Sequence, residues 1–141
     1  GVAAFIGNAL IGRVVRRSLT GALVAAPAVM ALIAALLAVF GASTAVATCL
    51  LAVWGLVSSA AVAWWTWVTR AAPDDAEAGG GLMVAVIQLA ITLGATIGGV
   101  VFDRMGAVSE FLGSAAILMV ATVLAIVAGT MLTRHLRHVP A

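Results

Sequence analysis

The sequence predicts an all-α, polytopic membrane protein with four full transmembrane helices plus a partial fifth. Composition, charge spacing and the absence of strand patterning predict it together. Of 141 residues, 65% are hydrophobic and 9% charged, where a soluble domain carries roughly 25% charged residues. That leaves too little polar surface to cover a soluble core of this size. The charges are also bunched, leaving uncharged runs of bilayer length. Alternating-apolar segments of about 10 residues, the mark of a transmembrane barrel, do not occur.

The elements follow from those runs. Residues 1–12 would make only about 18 Å of helix, less than a bilayer core of about 30 Å. The chain starts with Gly, and its first arginines follow the apolar stretch rather than precede it, the reverse of a signal peptide. The expectation is the end of a helix whose upstream part belongs to a longer chain. Ser18 to Thr69 is then 52 residues without a charge, about 78 Å if helical, so it must fold back. Gly41-Ala42-Ser43-Thr44 is the turn-compatible cluster near its middle. This gives helices over about 19–40 and 45–68. Two more follow over about 82–102 and 111–132, each long enough to span with modest tilt.

Arginine placement orients these spans. The seven basic residues are all arginine. Arg13, Arg16 and Arg17 lie in the first connection, Arg70 in the third, and Arg134 and Arg137 in the tail. Arg104 stands alone in the fourth. Alternating helices put the six on one side, which the positive-inside rule makes cytoplasmic. The expected location is the bacterial inner (plasma) membrane, multi-pass, with the C-terminus cytoplasmic. Trp64, Trp65 and Trp67 then fall at a membrane interface, where aromatic residues concentrate.

The spans differ in character. In 45–68, Thr48, Ala52, Gly55, Ser59, Val62, Thr66 and Thr69 recur at three- and four-residue steps, one small and mildly polar face. In 82–102, Ala85, Gln88, Thr92, Ala95, Thr96 and Gly99 do the same. Gly94-xxx-Gly98 and Ala95-xxx-Gly99 have the spacing that lets membrane helices approach. The first full span is nearly all Ala, Leu and Val, with Pro27 as a tolerated kink. These contrasts put the middle two helices inside and the first and last toward lipid. Gln88 is the chief polar residue of the spans; an amide there needs a helix, a water or a solute as partner. Either an interhelical bond or a cavity-facing role suits it.

Other chemistry is sparse. Cys49 lies alone in an apolar run and reads as a small hydrophobe. Asp103 and Glu110 fall at the outer edge, and Asp74, Asp75 and Glu77 in a cytoplasmic connection. His135 and His138 share the basic tail and read as solvated. No nucleophile, base or metal constellation is present, so the expectation is a non-enzyme with no catalytic residues, no metal and no cofactor. Arginines set between apolar runs also argue against nucleic acid as a partner. Pro73 ends the preceding helix, and the acids after it favour the next helix start. Gly79-Gly80-Gly81 reads as a flexible hinge. It is not a phosphate loop, since no Gly-Lys-Ser/Thr follows.

Gly7-Asn8-Ala9-Leu10-Ile11-Gly12-Arg13, followed by Arg16-Arg17, resembles the cytoplasmic loop signature of the major facilitator superfamily, with Gly12 where the family usually has an acid. Val62 to Arg70, Asp74, Ala76, Glu77 and Val84 to Ala90 resemble a narrower group, purine ribonucleoside efflux pumps of the drug:proton antiporter type. Gly94-Ala95, Ile97-Gly98-Gly99, Asp103 and Gly106 continue that likeness. The resemblance implies a C-terminal transporter portion, its helices the ninth to twelfth, with the missing N-terminal part of the same transporter as partner. It implies export of a small-molecule solute, purine nucleosides in the narrower reading, by alternating access with protons as coupling ion and the lipid bilayer as medium. Gln88, Thr92 and Ser59 are then candidate polar contacts, and Trp54 and Trp64 aromatic ones. Gly7, Asn8, Gly12, Arg13, Arg17, Arg70, Asp74 and Glu77 would form the cytoplasmic loop motif, and Gly94, Gly98 and Gly99 would pack helices. The alternatives are a non-transporting membrane scaffold subunit, or a sugar or drug exporter of the same superfamily. A complete four-helix small multidrug carrier would need a buried acid not evident in the spans.

Overall fold

The computed structural model describes residues 18–71 and 74–138. They are helical almost throughout: α1 (Leu19–Phe40), α2 (Thr44–Val57), a 3-10 turn (Ser58–Ala60), α3 (Ala61–Ala71) and α4 (Ala76–His138). The expected partial helix over 1–12 lies outside the described residues, as do Gly7, Asn8, Gly12, Arg13, Arg17 and Pro73.

Helix α1 has the predicted limits. Ser18 caps it in an extended conformation, its Oγ accepting from the Gly21 N–H at 3.0 Å, which satisfies one of the helix's free donors. At the other end the Gly41 N–H reaches Leu37 O at 2.9 Å and the Ser43 N–H reaches Phe40 O at 3.1 Å. These two bonds tighten the chain into the predicted reversal before α2.

The second predicted span is not one helix. After Val57 the chain tightens through Ser58–Ala60 before resuming as α3. The cause is local. Ser58 Oγ donates to Gly55 O at 2.8 Å and Ser59 Oγ to Leu56 O at 2.6 Å. Both hydroxyls compete with backbone N–H groups for carbonyls one turn back, which bends helices.

The third predicted span begins earlier than expected. Gly79-Gly80-Gly81 is helical, not a hinge, and the Gly79 N–H bonds to Asp75 O at 2.9 Å. The glycines allow close packing instead. A Cβ on Gly79 would sit 3.1 Å from Val68 Cγ1, and one on Gly80 would sit 3.5 Å from Trp65 Cζ3. Glycine here makes room for the Trp-bearing end of α3.

At 63 residues α4 cannot cross a bilayer once. It breaks at Gly106, which has φ 80° and ψ 172° and is the one positive-φ glycine among the described residues. A side chain would be strained there. Its two limbs turn back on each other, because Ile97 and Gly98 of the first face the same cleft as Glu110 and Ser114 of the second. By length and composition, three helical segments can cross a membrane: Leu19–Phe40, Thr44–Arg70 and Ala76–Met131. That corrects the expected count of four separate spans. The third and fourth expected spans are limbs of one segment, since no loop separates them and a single glycine does the turning.

The core centres on α1. Leu19, Ala22 and Leu23 pack with Ala63, and Trp64 and Trp67 close over them. Further along, Ala31, Ile33, Ala34 and Leu37 are buried. These residues spread around the helix, because α1 touches α2, α3 and α4. A close approach lies at Gly129, where an added Cβ would collide with Thr20, one turn beyond fully buried Ala125. The plain Ala-rich first helix, expected to face outward, is thus the most enclosed. Its small side chains permit the dense contact on which membrane helix association depends.

Candidate functional site

The residues singled out for the solute pathway fall into two separate groups. Gln88 and Thr92 lie on the first limb of α4, both exposed. Thr92 Oγ1 donates to Gln88 O at 2.9 Å, and Thr96 Oγ1 to Thr92 O at 2.8 Å. With their protons directed back along the helix, the threonines retain acceptor capacity toward anything outside it. Gln88 keeps an amide that both donates and accepts. Because the limb begins at Ala76, Gln88 lies about 18 Å from its start, deeper than the predicted start at 82 implied.

The second group lies on α2, the 3-10 turn and α3. Ser59 is buried, and its hydroxyl is committed to Leu56 O. Trp54 is half-buried. Trp64 packs over the core and meets Trp67 edge-on, ring centroids 5.9 Å apart at 69°. The Trp67 Nε1 beside it is buried without a hydrogen-bond partner. Neither Gln88 nor Ser59 lines the cleft between the limbs of α4 or the one between α1 and Leu56–Ala60. Of the loop motif, Arg70, Asp74 and Glu77 are exposed, and the acids share a shallow surface hollow with Asp75.

Around the glycines expected to pack helices, the described residues leave open space. Gly94 and Gly99 have no neighbouring atom within 4 Å of an added Cβ, and Gly98 has only Glu110 Oε1, at 3.8 Å. Gly94 and Gly98 floor a cleft of about 380 Å³ between the two limbs of α4, and Glu110 and Ser114 form its other side. Cys49 is exposed rather than packed. Among the described residues no group of His, Cys, Asp and Glu is placed to hold a metal.

Comparison with known proteins adds two names. Over 127 residues the chain is 53% identical to the transcription regulatory protein OpdE of Pseudomonas aeruginosa, covering 89% of the chain and 32% of that protein. Over 125 residues it is 41% identical to the purine ribonucleoside efflux pump NepI of Escherichia coli O157:H7, covering 88% of the chain and 32% of the pump. The chain is similar to an efflux pump. The NepI of Shigella sonnei is 40% identical over the same length. The chain spans about a third of the length of these relatives. No family model matches the chain, and no solved structure matches it.

One polar group escaped the sequence reading. Glu110 looked like a loop-edge acid because a connection was expected over 103–110. The helix in fact restarts directly after Gly106. Glu110 is therefore a half-buried helical residue, four positions before Ser114, whose Oγ donates to Glu110 Oε1 at 3.1 Å. The available signal was that i, i+4 pair beside the lone Gly106.

Proposed function

We propose that this chain is the C-terminal part of a bacterial inner-membrane secondary transporter, of the drug:proton antiporter type within the major facilitator superfamily, that exports purine nucleosides. The observation that carries the reading is 41% identity to a purine ribonucleoside efflux pump across 88% of the chain. Three helical segments of membrane-crossing length are consistent with it. In this reading the chain forms one wall of an alternating-access pathway, and solute binds between it and the rest of the transporter near mid-bilayer.

Gln88 is the residue on which recognition turns. Its amide can pair with both a donor and an acceptor on a purine edge, while Thr92 accepts from an amino or hydroxyl group. Ser59, with its proton committed to Leu56 O, would also act as an acceptor, and Trp54 and Trp64 would offer apolar faces. In the complete protein, Gln88→Leu should change the relative export of several nucleosides while insertion and detergent melting stay as in wild type. Unchanged substrate preference together with a lower melting temperature would make Gln88 a helix-joining residue and remove it from the pathway.

A second reading has its own support. The relative that is 53% identical bears the name of a transcription regulatory protein, so a membrane protein that regulates without carrying solute is the competing function. Proteoliposome flux separates the two. Saturable nucleoside movement driven by a pH gradient supports export, and its absence in the intact protein supports the regulatory role.

A further inference from the structure

The first limb of α4 has two unlike sides. Leu93, Gly94, Ile97 and Gly98 line the cleft toward the second limb. Gln88, Thr92 and Thr96 follow one another at single turns, and at about 3.6 residues per turn their row falls on the opposite side of the helix. The second limb therefore does not cover them, and all three are exposed. Ala95 and Gly99 share their side, and nothing lies within 4 Å of a Cβ added to Gly99. A flat solute has room to lie close along this row.

The hydroxyls of the row have a direction. Thr92 Oγ1 and Thr96 Oγ1 both donate to carbonyls one turn back, at 2.9 and 2.8 Å. Toward a solute each presents lone pairs only, so each selects a donor. Gln88, at the other end, has an amide that pairs with the amino group and ring nitrogen of a purine. From Gln88 to Thr96 is about 12 Å along the axis, the scale of a purine carrying a pentose. A sugar hydroxyl is then the donor that reaches the far end. Thr122 and Thr130 also donate to carbonyls of their own helix, but no amide stands in a row with them.

We propose that Thr96 reads the sugar: its Oγ1 accepts from a ribose hydroxyl while Gln88 holds the base. The inference rests on the purine nucleoside reading and adds to it the residue that sets sugar selectivity. A site built around such a hydrogen bond rejects an analogue that lacks the hydroxyl, because the acceptor is left without its partner.

The test is competition against tritiated adenosine on the complete protein in nanodiscs, with 2′-deoxy-, 3′-deoxy- and 5′-deoxyadenosine as competitors. In wild type one of these should bind about three- to tenfold more weakly than adenosine, the worth of one neutral hydrogen bond. In Thr96→Val, which removes the hydroxyl at nearly constant shape, that analogue should match adenosine. Thr96→Ser should keep the wild-type ratio, and free adenine should bind wild type and Thr96→Val alike. No discrimination among the three in wild type, a ratio unchanged in Thr96→Val, or an equal loss for adenine overturns the proposal and leaves the purine site standing. Wild type that binds none of adenosine, guanosine and inosine overturns both the proposal and the purine reading. A Thr96-dependent ratio in a protein without nucleoside flux upholds the proposal and removes export alone.

Discussion

Glycine does four different jobs in this chain, and position alone decides which. Gly79 and Gly80 make room for Val68 and Trp65. Gly94 and Gly98 keep a cleft open, Gly106 turns the chain, and Gly129 admits Thr20. The last of these is the most sensitive to substitution. Gly129→Leu forces a side chain into the contact with Thr20, and overpacking of this kind costs about 1–3 kcal/mol. Detergent melting of Gly129→Leu should fall by that measure, while Gly99→Leu, with open space at its Cβ, should melt close to wild type. Equal melting of the two would show that α1 and the second limb of α4 are not in intimate contact. Sequence spacing picked Gly94, Gly98 and Gly99 as the packing set because small-xxx-small is a pattern of one helix. Gly129 was overlooked because its partner, Thr20, is more than a hundred positions away, and no periodicity within one helix carries that information.

Among the elements, the interrupted span from Thr44 to Ala71 departs most from expectation. A run of apolar and small residues reads as one continuous helix, since hydropathy is blind to where hydroxyls bond. Ser58 and Ser59 bond three residues back, and the result is a 3-10 turn in mid-span. Across from it, Ala26 and Val29 of α1 share a cleft of about 160 Å³ with Leu56 and Ala60. Pro27 lies between those α1 positions and removes a backbone donor. Two weakened stretches of backbone therefore stand side by side. If the hydroxyls set the turn, replacing Ser58 and Ser59 together by alanine should restore α-helical bonding. Amide hydrogen exchange over 58–62 should then slow, with stability rising by about 0.5 kcal/mol per residue from helix propensity. Unchanged exchange would assign the turn to packing against α1. By contrast, α1 was legible to the residue, because Ser18 and Gly41 are local punctuation and nothing distant competes with them.

At the scale of the whole molecule, burial is lopsided. Helix α1 is enclosed on several sides, while Leu82, Leu89 and Ile97 on the first limb of α4 are 59–68% exposed taken with Ile91. A large apolar surface of this kind calls for lipid or another part of a larger protein. The membrane orientation proposed from the arginines can be checked on residues that the structure exposes. With Cys49, itself exposed, changed to Ala, Ser43→Cys and Asp103→Cys should react with an impermeant maleimide from outside the cell, and Asp75→Cys only after the membrane is opened. The opposite pattern would invert the topology. The general class and the longer helices could be read from composition, because a bilayer imposes a length on any uncharged run. The reversal after 102 could be read too, from Asp103, Arg104 and Glu110, but not its tightness, because a single glycine with φ 80° makes the turn where a connection over 103–110 was expected. The tryptophans give the molecule one further property, an optical one. All four occur between positions 54 and 67, and Trp64 and Trp67 stand edge to face at 5.9 Å, close enough for their excited states to couple. Three of the four lie on α3 and Trp54 on α2, so ultraviolet emission and near-ultraviolet circular dichroism from this chain arise mainly where α3 meets the start of α1, and report on that contact without any added dye.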